Sequence, residues 1–209
     1  MKKSTLTLTS LSLLIFSIFL LRIFIGYYGE FSSFSSKEFR TKGNPETATF
    51  KVVEFIDFQC PSCAKGAALL ESYRKKHPKQ ISVEVKYFPL KIHAHAWKAA
   101  LYAECAGRQG KFWQFHDAIL NQQDKWKHLP DAEPFFRATI RSLRLNNEKV
   151  EACLLNDHST LNTTIMNDIT EGRVHQIKST PTYFINDERV VGFKALIKKL
   201  TETFGELSE

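Results

Sequence analysis

Cysteine is scarce in this chain: 209 residues carry only four. Those four are not placed to hold a structural metal, which needs four ligands, usually a second C-x-x-C or a His pair at set spacing. Here a single C-x-x-C occurs, Cys60-Pro61-Ser62-Cys63, while Cys105 and Cys153 stand far apart without near partners. His93, His95 and His116 show no ligand spacing, so packing or helix-end hydrogen bonding is their expected role, and neither metal nor cofactor is expected. No internal repeat is present, and no low-complexity segment beyond one spacer. Nor is there a concentrated block of charge: the net +7 is spread along the chain. Arg74-Lys75-Lys76-His77 and Lys198-Lys199 fit solvated helix ends, where cations complement the dipole. Nucleic acid is not an expected partner.

What is present at the N-terminus is one long apolar run. Lys2 and Lys3 precede Leu6 to Ile25, a stretch of about 20 residues and long enough to cross a bilayer as a helix. Lysines before it and a domain after it place the N-terminus inside and the rest outside the plasma (inner) membrane. Arg22 near the outer end can snorkel to the interface. No small-x-small cleavage site closely follows; Ser33-Phe34-Ser35 is late and weak. An uncleaved single-pass anchor over residues 1–26 in contact with the lipid bilayer is therefore favoured, with a cleaved signal peptide and a secreted or periplasmic domain as the alternative. Either places the domain where disulfides persist. Residues 27–47, rich in Ser, Phe and Lys, are expected to be a spacer whose Phe31, Phe34 and Phe39 lie at the lipid interface or pack on the domain.

The C-x-x-C stands where the apolar run Phe50 to Phe58 gives way to a helical pattern. Two thiols one turn apart are close enough for a short-loop disulfide. Cys60, at the helix mouth, faces unpaired N–H groups and the positive dipole end, which favour thiolate. Pro61 suits the first helical position, where its missing N–H costs nothing. The pattern points to a reversible dithiol/disulfide centre.

Phe50–Phe58 is expected as a buried strand and Pro61–Lys76 as a helix. The alternation Ile81-Ser82-Val83-Glu84-Val85-Lys86-Tyr87 predicts a second strand with one wet face. Apolar spacings of three and four then predict helices over 95–108, 111–122, 132–143, 147–156 and 159–176, punctuated by Gly107, Gly110, Pro130 and Asn146-Asn147. Trp97, Phe112, Trp113 and Phe115 are expected in the core and between helices. Asn162-Thr163-Thr164 fits a glycosylation sequon but falls inside a predicted helix. Thr182–Ile185 and Arg189–Val191 are strands around an Asn186-Asp187 turn, and Lys194–Phe204 closes as a helix.

That α/β order, βαβ, a helical block, then ββα, resembles a thioredoxin fold with a helical insertion. It is similar to the DsbA-like thiol:disulfide oxidoreductases, particularly their membrane-anchored branch. The carrying motifs are Glu54-Phe55-Ile56-Asp57-Phe58-Gln59-Cys60-Pro61-Ser62-Cys63, Phe88-Pro89-Leu90 with His93 and Ala96, Gln109 to Asp117, and Ser179-Thr180-Pro181-Thr182-Tyr183-Phe184-Ile185-Asn186. The domain is expected over 48–209, with its insertion at about 92–177. The resemblance implies that Cys60 is the solvent-facing nucleophile, Cys63 the resolving cysteine and Pro181 a cis-proline facing the pair. Thr180 before it would pair with an extended substrate segment.

Glu54 lies six residues before Cys60 inside an apolar strand. One reading is a strand-edge carboxylate in solvent; the other is a buried acid with a raised pKa that exchanges a proton with Cys63. The family's acid at this position favours the second. Asp57, whose negative charge near Cys60 would raise the thiol pKa, is given no catalytic role. Cys105 and Cys153 are expected to form a structural disulfide, two buried free thiols being the alternative.

Oxidant, reductase and isomerase share this motif, and the residues between the cysteines tune the choice. Pro-Ser has no cationic imidazole, so the Cys60 pKa is expected within the range of about 3.5–7.5 for activated thiols but above its lower end. An isomerase needs a dimerisation module that the spacer does not offer, and a monomer is expected. The favoured reading is an oxidase of exported proteins with reduced cysteines, reset by a DsbB- or VKOR-like membrane quinone oxidoreductase as the resemblance implies. A membrane-tethered reductase and a non-catalytic binding module are the alternatives.

Overall fold

The computed structural model describes residues 38–207, with Ser17 alone ahead of them. The expected anchor over 1–26 therefore lies outside the described residues, apart from Ser17. Among the described residues no helix is long and apolar enough to cross a membrane.

Strand β2, Phe50–Ile56, buries Phe50, Val52, Phe55 and Ile56. It runs parallel to β3, Ile81–Tyr87, in register from Phe50 opposite Ile81 to Ile56 opposite Tyr87. Helix α1, Pro61–Lys76, makes the crossover that a parallel pair requires. On the other side of β2 runs antiparallel β4, Thr182–Ile185, followed by β5, Glu188–Val191. Asn186 and Asp187 join them at φ of 47° and 69°, the left-handed pair that a tight two-residue hairpin favours. Helix α7, Phe193–Phe204, packs back against α1.

Two expectations need correction. First, the strand order is β1-β3-β2-β4-β5, and β1, Thr41–Lys42, lies within the stretch expected to be spacer. Phe39 packs its ring against Phe112 at 5.8 Å. Arg40 is 2% exposed, with its guanidinium 2.5 Å from Asp168, 3.4 Å from Glu104 and over the Tyr87 ring. A buried charge needs such partners, and they come from distant parts of the chain. Second, β3 has no wet face. Lys86 is fully buried, paired with Glu84 at 3.3 Å and Glu171 at 3.0 Å. Its alternation marks a face covered by a charged helix, not by water.

That helix belongs to the insertion, which comprises α2 (Ala96–Gly107), α3 (Phe112–Asn121), a 3-10 turn at Gln123–Lys125, α4 (Glu133–Ser142), α5 (Asn147–Asn156) and α6 (His158–Val174). Asn146 caps α5 by accepting from the Lys149 N–H at 2.9 Å. Phe112, Phe115 and Phe136 form the insertion core. Asn162 accepts from the Trp97 indole at 3.0 Å, so the sequon asparagine is occupied in helix packing.

Cys105 of α2 and Cys153 of α5 are joined in a disulfide across a separation of 48 residues. Closing a loop of that length removes denatured-state entropy worth about 4 kcal/mol in the chain-entropy picture. A Cys105→Ala, Cys153→Ala variant is expected to lose about that much stability in urea while Cys60 and Cys63 still exchange. An unchanged midpoint would show that the bridge contributes nothing.

Candidate active site

Strand β2 ends at Ile56, and the next four residues turn the chain into α1. Cys60 is the N-cap, with extended backbone (φ −77°, ψ 120°), and Pro61 opens the helix. The turn is held by Asp57, whose side chain is buried. One carboxylate oxygen accepts from the Gln59 N–H at 2.7 Å; the other accepts from the Leu90 N–H at 2.7 Å and meets His93 Nδ1 at 2.7 Å. Burial pushes the Asp57 pKa up, and these donors hold it down in part. Asp57 therefore fastens the cysteine turn to the segment after β3, and His93 is its partner.

The insertion grips the same turn. Gln59 donates to the Lys127 carbonyl at 2.6 Å and accepts from the His95 N–H at 2.7 Å. Gln123 donates to the carbonyls of Phe58 at 2.8 Å and Cys60 at 3.1 Å. Neither glutamine stood out in the sequence. Their only signal was a polar side chain adjoining Cys60 and another after α3, each at a place where buried carbonyls require donors.

Both cysteines of the C-x-x-C are unbonded thiols. Cys60 is 7% exposed and Cys63 is fully buried, so Cys60 is less open to solvent than expected. Cys60 Sγ lies 3.3 Å from the Thr180 carbonyl, to which its thiol donates. Its pKa is lowered to about 5: the Cys63 thiol donates to it, outweighing burial, and the Thr180 side chain with the Cys63 and Ser62 N–H groups adds to this. Cys63 is pushed the other way, above its ordinary value, by burial first and then by Cys60 and Glu54, although the Asp57 N–H donates to its sulfur at 3.5 Å.

Glu54 is 1% exposed, on β2 opposite Tyr183 of β4. Burial raises its pKa to about 8, and the Tyr183 hydroxyl offsets only part of that. Neither that hydroxyl nor Glu54 Oε1 closes a hydrogen bond of good geometry. Space for the hydroxyl exists because residue 66 is glycine: a Cβ there would collide with it. The Thr180–Pro181 bond is cis, and the Thr180 backbone meets Cys60 across the site. The fold thus brings together Cys60, Cys63, Glu54, Thr180 and Pro181, while Cys105–Cys153 sits apart in the insertion. Chemically the site holds a ready nucleophile, a second thiol kept protonated and an acid beneath both. Among the described residues no group of three or more His, Cys, Asp or Glu is placed to hold a metal ion.

Comparison with known proteins agrees with this architecture. The structure is similar to the thiol-disulfide exchange protein alpha-DsbA2 from Wolbachia pipientis (TM-score 0.66, 19% identity, 86% of this chain and 93% of that one). It is also similar to Pseudomonas aeruginosa DsbA2 (0.62, 22%, 85% and 100%) and to oxidised BdbD from Bacillus subtilis (0.63, 18%, 78% and 91%). These establish the shared fold. By sequence the chain is 30% identical over 146 residues to the Na(+)/H(+) antiporter NhaA 3 of Salinispora tropica, covering 69% of this chain and 21% of that protein. It spans between about a fifth and a quarter of the length of the curated relatives it matches. A family profile described as Thioredoxin matches residues 35–201, and the chain belongs to that family.

Proposed function

We propose that this protein is a thiol:disulfide oxidoreductase that passes its Cys60–Cys63 disulfide to reduced cysteines of exported proteins. The observation that carries the reading is the opposed behaviour of the two thiols. Cys60, lowered to about 5, is thiolate at neutral pH, whereas the buried Cys63 remains protonated. A stabilised thiolate favours the reduced pair, which makes the disulfide an oxidant. Residues 1–26 would tether the domain on the outer face of the membrane, and a quinone-linked partner of the DsbB or VKOR type would restore the disulfide.

The redox potential tests the direction of electron flow. Thioredoxin pairs a cysteine pKa of about 7 with about −270 mV, and DsbA pairs about 3.5 with about −120 mV. Interpolating at about 5 gives roughly −185 mV for this pair. Equilibration of the domain with glutathione buffers is expected to give that value. A potential near −270 mV would favour the tethered reductase instead, and a pair inert to glutathione would leave only a binding module.

A further inference from the structure

We propose that His116 is the proton relay between Glu54 and solvent, working through water held in a cavity beneath the redox pair. The inference rests on the exchange reading above and concerns how the proton of that reaction crosses the interior.

Three residues that each carry a buried side-chain atom without a hydrogen-bond partner line one small cavity: Glu54 (Oε1), His116 (Nε2) and Trp113 (Nε1). Leu70 and Val83 supply apolar wall, and the charged side chains of Lys42, Glu71 and Asp117 complete the lining. The cavity leaves about 20 Å³ for the centre of a water molecule, above the roughly 10–15 Å³ that one water needs. Buried polar atoms are normally paired, and a donor, an acceptor and an acid around one cavity form the set that holds a bridging water. His116 is 2% exposed, and its ring links the cavity lining to Asp117. At the far end its Nδ1 lies 2.8 Å from Asp117 Oδ1, and the Asp117 side chain is 42% exposed. Despite its burial, Asp117 is held below its ordinary pKa by His116 and Lys42. A carboxylate accepting from Nδ1–H fixes the tautomer that leaves Nε2 bare, facing the cavity as an acceptor.

The charged and titratable groups around this path come from three elements. Lys42 of β1 lies 3.7 Å from Asp117 and 3.1 Å from Glu71 of α1, and Arg74 of α1 also pairs with Glu71. Cys60, Cys63 and Tyr183 face Glu54. Lys42 lines the same cavity as Glu54 but is engaged with Glu71 and Asp117, which leaves His116 Nε2 as the unpaired ring nitrogen at hand.

The relay has a definite task. When Cys63 resolves a mixed disulfide, its sulfur bonds to Cys60 Sγ, the Cys60–S bond to the substrate breaks, and the substrate departs as thiolate with that electron pair. The Cys63 proton must go to Glu54. At neutral pH Glu54 is mostly protonated and must first release its own proton. That proton passes through the cavity water to His116 Nε2, and the imidazolium, stabilised by Asp117, discharges to solvent from Nδ1. In the opposite half-reaction, departing Cys63 thiolate takes a proton from Glu54, which refills by the same path.

Closure of the mixed disulfide with glutathione, followed by rapid quench, tests the relay. His116→Gln is expected to slow closure about tenfold at pH 7 and to shift its pH profile, leaving the Cys60 alkylation rate and the potential unchanged. In a Glu54→Gln background His116→Gln should add nothing, because both act on one proton. Asp117 is half exposed, so Asp117→Asn serves if the buried His116 variant fails to fold, with slowing of about threefold expected. Wild-type closure rates in either folded variant would overturn the relay, as would an undiminished effect of His116→Gln without Glu54. Failure of the wild-type protein itself to close would instead remove the exchange reading, and the relay with it.

Discussion

In a Cys63→Ala variant, the Cys60 thiolate is expected to attack disulfides of substrate proteins, expel one substrate thiolate and stay attached as a mixed disulfide, with oxidation lost; Cys60→Ser abolishes attachment as well. The contrast follows from the two environments. Cys60, with its pKa near 5, is thiolate at neutral pH and makes the first attack; resolution requires a second thiol to attack Cys60 Sγ and expel the substrate thiolate. Only Cys63, one turn deeper in α1, is placed to attack from inside, and alanine removes that route. Selective alkylation of the reduced wild type checks the same assignment, but pH decides whether it is informative. Near pH 7 the larger thiolate fraction of Cys60 is partly offset by its lower intrinsic nucleophilicity, since reactivity rises with pKa at a slope of about 0.4–0.5. At pH 6 Cys60 is still mostly thiolate, while Cys63, held above its ordinary value, is almost wholly thiol. Chemistry alone then favours Cys60 about tenfold or more, and the complete burial of Cys63 adds to it. Equal alkylation of the two at pH 6 would overturn the roles assigned to them.

The sequence made the frame of the fold legible because each core element carries its own period. Phe50 to Ile56 is an apolar run of strand length, α3 repeats apolar residues at three and four, and Asn186-Asp187 marks its hairpin. What stayed hidden depends on partners remote in the chain. Arg40 resembles any spacer cation until Glu104 and Asp168 are seen around it. Lys86 alternates as if solvated because Glu171, which neutralises it, is 85 residues away. The site divides the same way. The cysteine pair and Pro181 lie in local motifs, and Glu54 is conspicuous as a lone acid in an apolar strand. The supports are ordinary residues whose use is set by tertiary packing: Gln59 and Tyr183 fall inside the family motifs without showing what they bond, and Gln123 lies in none.

Glu54→Gln is expected to make the protein more stable and less active at once. A carboxyl whose pKa is raised from 4.5 to about 8 by burial is neutral when folded across that window and ionised when unfolded. The unfolded chain therefore binds fewer protons, and stability falls as pH rises, by about 1.4 kcal/mol per pH unit. The loss begins near the unfolded pKa and ends near the folded one, so it totals about 5 kcal/mol. Cys60 works in the opposite sense. Its depressed pKa adds stability between about 5 and its unfolded value, which flattens the curve of the reduced wild type and conceals the Glu54 contribution. The difference between wild type and Glu54→Gln isolates it, because Cys60 titrates in both. Glutamine matches the protonated acid in shape and does not ionise, so the two proteins should be nearly equal in urea stability at pH 4.5. The variant should gain about 3 kcal/mol by pH 7 and about 4 by pH 8. Closure of the mixed disulfide should slow, since an amide cannot take the Cys63 proton. A stability difference independent of pH from 4.5 to 8 would mean that Glu54 ionises alike in both states, and the buried acid beneath the cysteines would then have no place in the chemistry.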